Sequence, residues 1–307
     1  MFLNYLSSLP GAINLGLIWG LMAIGVYITY KILDIPDLTV DGSFATGGIV
    51  AAVLISNGMH FALALLIAFA AGLLCGLLTG ILHTYLGIPA ILAGILTQMA
   101  LWSINLKINN GRSNISISIR NSSVIFSQTN VFDTLWKMGI VIVIFIALLY
   151  LFFGTELGAS IRATGNNKKM SKALGINTRG NIILGLAISN GIVAIAGGLL
   201  AQYQGFGDIN MGKGAIVIGL CGVVIGLALF SKIAKNFAVR LITVVVGGVL
   251  YYIIFQTVVF LGVDTDLLKM LAAIIVAIFL GVPYVRRKYW KDFKKRLNDR
   301  RLLRRGE

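Results

Sequence analysis

Long apolar stretches recur along the whole chain, and this pattern constrains the fold more than any other feature. A helix needs about 20 apolar residues to cross about 30 Å of hydrocarbon. Stretches of suitable character are Ile13–Leu33, Ser43–Ser56, Phe61–Tyr85, Ile88–Leu106, Thr134–Phe153, Asn181–Tyr203, Gly214–Phe230, Phe237–Leu261 and Leu267–Tyr284. Only 12% of the residues are charged, whereas soluble proteins carry about 25%. The sequence therefore predicts an all-α polytopic membrane protein with about 8–9 transmembrane helices, two of them short or broken.

Basic residues beside these stretches predict the orientation of the chain, because Lys and Arg are held on the cytoplasmic side of a membrane. The segments 155–180 and 286–307 are both rich in Lys and Arg. We expect residues 1–285 to form one transmembrane domain, with 155–180 as a cytoplasmic loop and 286–307 as a basic cytoplasmic tail. Counting helices back from the tail places the loop 107–133 and the N-terminus outside.

The net charge of +15 comes from 26 Lys and Arg against 11 Asp and Glu. Such a balance is also typical of proteins that bind nucleic acid. Most of the excess lies in the tail and in the loops predicted to be cytoplasmic, where anionic lipid attracts basic segments. We therefore expect contact with membrane lipid and no nucleic acid.

The stretch DIPDLTVDGSFATGG, Asp34 to Gly48, places three carboxylates and a proline between two membrane-like segments. Pro36 is expected to end the preceding helix. Asp41 or Ser43 is of the residue type that caps a restarting helix. Non-helical backbone at membrane depth is tolerated only where protein or a water-filled cavity covers it. The stretch predicts either a functional break in the second helix or a plain turn at the cytoplasmic surface.

A second interruption occurs in GFGDINMGKGAIVIGLCGVVIG, Gly205 to Gly226. Asp208–Gly212 repeats the pattern of Asp37–Asp41: an Asp, an aliphatic residue, a small polar residue, another aliphatic residue and a turn former. Paired interruptions point to the translocation site in transporters built from inverted repeats. In the predicted orientation the first restarted helix runs outward and the second inward, so the sequence predicts an inverted repeat.

Glycines at helical spacing predict close helix packing. Gly72, Gly76 and Gly80 stand four residues apart, and Gly222 and Gly226 repeat that spacing. Small residues at this spacing leave a smooth face on which a second helix can approach closely. The pattern predicts a bundle and is neutral about the solute.

The basic segment TELGASIRATGNNKKMSKALGINTRG spans Thr155–Gly180. Within it, Met170, Ala173 and Leu174 recur at helical spacing beside three lysines. This pattern favours a short amphipathic helix that lies against the membrane face or a partner protein. The alternative is a solvated basic loop.

No residue pattern predicts catalysis or a metal site. Cys75 and Cys221 lie in separate apolar stretches, with no second Cys or His at ligand spacing. The segment Gly212–Gly214 lacks both the glycine spacing and the hydroxyl residue of a phosphate-binding loop. We expect no ATPase site and no bound cofactor in this chain.

Three segments carry a resemblance to a known family. INLGLIWGLMAIGVYITYKIL, together with the Asp37–Ser43 element after it, resembles the opening of ATP-binding-cassette (ABC) importer permeases for branched-chain amino acids and simple sugars. TELGASIRATGNNKKMSKALGIN is similar to the cytoplasmic coupling segment of that family, and Leu96–Asn105 is similar to its fourth helix. The resemblance runs from about Ile13 to about Gly226. It is nearest to a less characterised branch that is linked to aromatic amino acid uptake.

The resemblance implies a permease subunit in a bacterial inner membrane, with a homodimer as the simplest assembly. It implies partner ATPase subunits that bind ATP, and an extracytoplasmic solute-binding lipoprotein. The short helix around Asn166–Gly175 is then expected to enter a cleft on the ATPase. The residues assigned to ATPase coupling are Arg162, Gly165, Asn166, Lys168, Lys169, Lys172, Ala173, Leu174 and Gly175.

The resemblance and the two interruptions together predict where the solute passes. The pathway candidates are Asp37, Thr39, Asp41, Ser43, Gln98, Asp208, Asn210 and Lys213. Asp41 stands where the family has a small or neutral residue, and Lys213 is unusual in the partner element, so these two are candidates for an ion pair. The predicted solute is an aromatic or branched-chain amino acid that moves inward.

Two other functions stay open at this point. One is a sugar or nucleoside permease of the same family. The other is a secondary transporter driven by protons or sodium, in which Asp37, Asp41 and Asp208 would bind the ion. A membrane enzyme has little support, since it would need a nucleophile with a base, or clustered ligands.

The loop 107–133 alternates Ile115, Ile117 and Ile119 with polar residues. After a turn at Asn121–Ser123 it continues into Val124–Phe126. This alternation predicts a small hairpin. Such a hairpin would either receive the binding protein or cover the helix bundle.

Overall fold

The computed structural model describes residues 2–117, 125–128, 130–230 and 236–262, with isolated positions between 267 and 281. Its helices are α1 Phe2–Tyr27, α2 Thr39–Ser56, α3 Phe61–Thr84, α4 Ala90–Ile108, α5 Val131–Gly154, α6 Glu156–Asn166, α7 Lys168–Ala173, α8 Thr178–Gln204, α9 Ala215–Phe230 and α10 Phe237–Phe260. A π-helical turn, Ile28–Ile32, extends α1. The strands are β1 Asn114–Ser116 and β2 Phe206–Asp208.

In this part of the chain, seven helices are long and apolar enough to span a membrane, and α9 is a shorter apolar helix. The predicted all-α polytopic fold is confirmed. The predicted span Leu267–Tyr284 lies largely outside the described residues. α1 begins well before the predicted Ile13, because Tyr5 packs on α10: its hydroxyl lies 2.8 Å from Thr257 Oγ1 and its ring centroid 5.1 Å from that of Phe260.

The predicted glycine face of α3 packs against α8. A Cβ atom at Gly76 would collide with the carbonyl oxygen of Leu186, and one at Gly72 would collide with that of Asn190. On α9, Gly226 meets the carbonyl oxygen of Thr243 in α10 in the same way. These contacts confirm the prediction of close packing, since a side chain at any of these glycines would force the helices apart.

Two groups of three helices, α1–α2–α3 and α8–α9–α10, have matching contacts. α1 packs against α10 and α8 packs against α3, while α2 lies on α3 as α9 lies on α10. α2 also contacts α8, and α9 contacts α1. Each contact thus has a counterpart in which the two groups exchange roles, as a two-fold relationship between repeats requires.

The two groups run in opposite directions. α1 ends beside α6, because Gly165 lies against the carbonyl of Ile32. α8 begins beside α6, because the Asn181 amide donates a 2.9 Å hydrogen bond to Thr164 Oγ1. We call the end of the bundle that carries α6 and α7 the basic end, and the end that carries β1 and β2 the strand end. α1 runs toward the basic end and α8 runs away from it, so the repeat is inverted.

The strands form a two-stranded antiparallel ladder in which Ile115 lies opposite Gly207. The described partner of β1 comes from the segment after α8, and the local hairpin stays a prediction because most of it lies outside the described residues. The backbone N–H of Ile117 extends the ladder by donating to the carbonyl of Gly205 at 2.8 Å. α4 and α8 both end at the strand end, and this common location brings distant segments together. The predicted turn at 121–123 lies outside the described residues.

Candidate functional site

Asp37 is the centre of a buried polar cluster at the first interruption. Asp37 is 3% exposed. One carboxylate oxygen accepts the backbone N–H of Thr39 at 2.9 Å, and the other accepts the Asn190 amide at 2.7 Å. The Asn190 carbonyl oxygen in turn accepts the Ser43 hydroxyl at 2.6 Å. A single amide therefore joins the interruption to the first turns of α2.

The depth of this cluster follows from the position of Asn190 on α8. Asn190 lies about 18 Å along the axis from the first residue, Thr178, in a helix about 40 Å long. The break before α2 is thus level with the middle of a membrane-length helix. A surface turn, the alternative that the sequence allowed, does not describe this position.

Three threonines form a second buried chain of hydrogen bonds across α2, α3 and α4. The hydroxyls of Thr39 and Thr79 are 2.7 Å apart, and Thr79 donates to Thr97 at 2.9 Å. Thr97 donates to the carbonyl of Ala93 at 3.0 Å. The chain ends on a backbone acceptor, so every hydroxyl has an acceptor away from water, as burial demands.

Asp41 joins the two interruptions. Its carboxylate accepts the backbone N–H of Gly214 at 2.9 Å and that of Ile216 at 2.8 Å, at the N-terminus of α9. A helix N-terminus has unsatisfied N–H groups and a partial positive charge, so a carboxylate there is stabilising. Asp41 itself lies in the first turn of α2, and its negative charge therefore serves the N-termini of both broken helices.

This arrangement corrects two predictions. The Asp41 carboxylate accepts two backbone N–H groups, whereas the Lys213 residue is exposed. Among the described residues, the ion pair found is a different one, between Lys137 and Asp133. The predicted pair of Asp41 and Lys213 does not form. Neither Asp41 nor Ser43 caps α2, whose first residue, Thr39, instead bonds to Asp37. Asp41 faces the other helix because the backbone there offers two aligned donors.

The segment of the second interruption packs tightly on α2. A Cβ atom at Gly212 would collide with the carbonyl oxygen of Asp41, and one at Gly48 would collide with the sulfur of Met211. Asp208 and Asn210 lie farther toward the strand end, where the Asp208 carboxylate accepts the backbone N–H of Asn210 at 2.6 Å. These two predicted site residues are therefore separate from the buried cluster.

Gln98 lies on α4 and is half-buried. Its backbone lies beside Gly42, where an added Cβ atom would come 3.1 Å from the Gln98 Cα. Sequence reasoning missed Asn190, Thr79 and Thr97, which complete the buried cluster. A polar residue inside an apolar span is a functional candidate by default, and this rule would have identified all three.

The predicted coupling residues form a separate surface at the basic end. Asn167 caps α7 by accepting the backbone N–H of Met170 at 3.0 Å, so the predicted short helix is confirmed. Met170 is 50% exposed and Leu174 is 69% exposed. The other exposed members of this set are Arg162, Asn166, Lys168, Lys169, Lys172, Ala173 and Gly175. Apolar side chains exposed among lysines are typical of a protein-binding surface.

Gly165 connects this surface to the first interruption. A Cβ atom at Gly165 would collide with the carbonyl oxygen of Ile32, at the end of the π-helical turn. From there only Leu33–Pro36 separates α6 from the Asp37 cluster. Asp34 in this link has a positive φ of 56°, which is uncommon for a non-glycine residue. α6 therefore packs against the segment that leads directly into the interruption.

An inverted repeat with two helix N-termini meeting inside a membrane-length bundle is the architecture of a transport protein. The sequence matches the family model for the permease component of branched-chain amino acid transport systems over residues 9–282. The chain belongs to this family of ABC importer permeases, which are membrane subunits without a catalytic role of their own.

Several named permeases are similar to this chain. It is 39% identical over 280 residues to the tyrosine transport system permease protein of Clostridioides difficile, which covers 90% of this chain and 91% of that protein. It is 30% identical over 165 residues to the fructose import permease protein of Bifidobacterium longum, covering 52% and 46%. It is 28% identical over 189 residues to an autoinducer 2 import permease of Yersinia enterocolitica, covering 61% and 51%. No solved structure matches the chain.

Proposed function

We propose that this chain is the permease subunit of an ABC importer that moves an aromatic amino acid inward, with tyrosine as the first candidate. The observation that carries the proposal is the 39% identity to a tyrosine transport permease across 90% of the chain. The similarity to a fructose permease covers 52% of the chain, so a sugar is the second candidate.

The buried cluster has a positioning role in this proposal. Asp37, Thr39 and Ser43 are buried and hydrogen-bonded, so they hold the break in the membrane rather than touch the solute. The solute-facing candidates are the more accessible residues Gln98, Asn210 and Lys213. Asp41 fixes α9 relative to α2, and movement of one broken helix against the other opens or closes the path.

ATP hydrolysis by a partner subunit is coupled to transport at the basic end. Met170 and Leu174 dock in a cleft of a partner ATPase, which binds and hydrolyses ATP, and the surrounding lysines contact its acidic residues. Closure of the ATPase moves α7 and α6, and Gly165 transmits the movement to the carbonyl of Ile32. This route is short because α6 packs directly on the π-helical turn.

The orientation follows from the same assignment. The basic end faces the cytoplasm, which the distribution of Lys and Arg supports, and the basic tail lies on the same side. α1 runs toward the basic end, so the N-terminus lies outside with β1 and β2. The strand end receives an extracytoplasmic solute-binding lipoprotein, and two copies of the chain form the homodimer that completes the importer.

Uptake of radiolabelled tyrosine tests the proposal. We expect a strain that lacks this chain to lose tyrosine uptake and to recover it on complementation, with uptake that stops when ATP is depleted. A tagged chain should co-purify with an ATPase subunit. Fructose uptake in place of tyrosine uptake would support the second candidate. Uptake that follows a proton or sodium gradient, by a chain that purifies alone, would overturn the importer assignment and point to Asp37, Asp41 and Asp208 as ion ligands.

A further inference from the structure

A cavity of about 630 Å³ opens at the basic end, between the end of α1, α6 and α10. Three cationic side chains line it, Lys31, Arg162 and Arg240, with one carboxylate, Asp34. The lining therefore carries an excess of positive charge. None of these side chains belongs to the buried cluster at the interruption.

The three cations come from separate elements that are packed together. Lys31 lies on the π-helical turn, Arg162 on α6 and Arg240 on α10. Arg240 and Tyr27 line the same cavity. The contact of α6 with the π-helical turn holds Lys31 and Arg162 at the same cavity.

A second cavity of about 630 Å³ adjoins the first, because both are lined by Arg162 and Phe237. It extends along the end of α5 and is also lined by Tyr150 and Leu151. These two side chains are 53% and 67% exposed. α5 is long and apolar enough to span a membrane, and these two exposed side chains continue its outer surface.

We propose that the two adjoining cavities bind one anionic phospholipid. Its phosphate lies among Lys31, Arg162 and Arg240, and its acyl chains follow the Tyr150 and Leu151 face of α5. Basic pockets between membrane helices bind anionic headgroups, and charged donors bind phosphate oxygens strongly. A free phosphate would use the first cavity alone, whereas a phospholipid accounts for both. The bound lipid braces α6 against α1 and α10, whatever solute the chain transports.

Native mass spectrometry of the full-length chain tests this proposal. The chain is released from phosphatidylcholine nanodiscs prepared with or without phosphatidylglycerol, and the retained lipid is counted. The site variant is Lys31→Gln with Arg162→Gln. The matched control is Lys107→Gln with Arg112→Gln, which removes the same charge from exposed side chains near the strand end. Arg240 is left intact so that the site variant and the control each lose two cations.

We expect the wild-type chain and the control to retain phosphatidylglycerol, and the site variant to bind it about tenfold more weakly. Equal loss in the control would overturn the proposal, because it would show non-specific charge attraction. Inorganic phosphate could instead displace phosphatidylglycerol and raise the melting temperature of lipid-free protein as much as phosphatidylglycerol does. That result would overturn the proposal in favour of a free-anion site. If the double variant does not fold, Lys31→Gln alone, at an exposed position, gives the same test.

Discussion

The Asn190 amide donates a 2.7 Å hydrogen bond to the Asp37 carboxylate, and this contact joins the break before α2 to the middle of α8. The two residues belong to opposite halves of the inverted repeat. Asn190 also accepts the Ser43 hydroxyl, so one side chain connects three points of the bundle. The break before α2 lies in the first half of the repeat and is thus stabilised by a residue of α8, in the second half.

Asn190→Leu is expected to destabilise the protein by about 1.5–3 kcal/mol, because it removes a hydrogen bond to a buried carboxylate. Thermal unfolding in detergent measures the loss. The control is a double-mutant cycle with Asp37→Ala: removing both partners should cost less than the sum of the two single changes. Strictly additive losses would show that the two side chains do not interact.

Asp41→Ala is expected to cost about 0.5–2 kcal/mol, because α9 loses the acceptor of two N-terminal N–H groups. Hydrogen exchange of the Gly214 and Ile216 amides should become faster. Lys213→Gln is the matched control and should change stability by less than about 0.5 kcal/mol, as exposed positions usually do. If Lys213→Gln destabilised the protein as much as Asp41→Ala, the result would indicate an ion pair between Asp41 and Lys213, contrary to the structure.

Gly165→Ala is expected to lower thermal stability and tyrosine uptake together. Its Cβ atom would collide with the carbonyl oxygen of Ile32 and separate α6 from the π-helical turn. Gly139→Ala on α5 is the control, since its Cβ atom would meet nothing within 4 Å. The control should be neutral or stabilising by up to about 1 kcal/mol. Normal uptake by Gly165→Ala would show that coupling does not pass through this contact.

Met170→Ser combined with Leu174→Ser is expected to abolish co-purification with the ATPase while leaving the melting temperature unchanged. Both side chains are exposed in the single chain, so their loss removes partner contacts and little internal packing. Phe132→Ser, an equally exposed apolar position at the strand end, should retain the ATPase. Retention of the ATPase by the double variant would place the docking surface elsewhere.

Much of the fold was predictable because its causes are local. Runs of apolar residues predicted the membrane helices, and Pro36 marked the first break. The spacing of Gly72, Gly76 and Gly80 predicted a closely packed face. Each of these signals depends on residues within a few turns of one another, where helical periodicity determines the neighbours.

The remaining features were decided by tertiary structure, because the partners are far apart in the sequence. Asp41 has the residue type of a helix cap and was expected to cap its own helix, α2. Its carboxylate instead caps α9, where it accepts the N–H of Ile216, 175 residues away. β1 looked like half of a local hairpin, yet its described partner is β2. The sequence determined that the chain enters a membrane and breaks two of its helices. Which buried donor meets which acceptor was decided only by the packing of the two halves, because a group removed from water bonds to whatever the fold brings within reach.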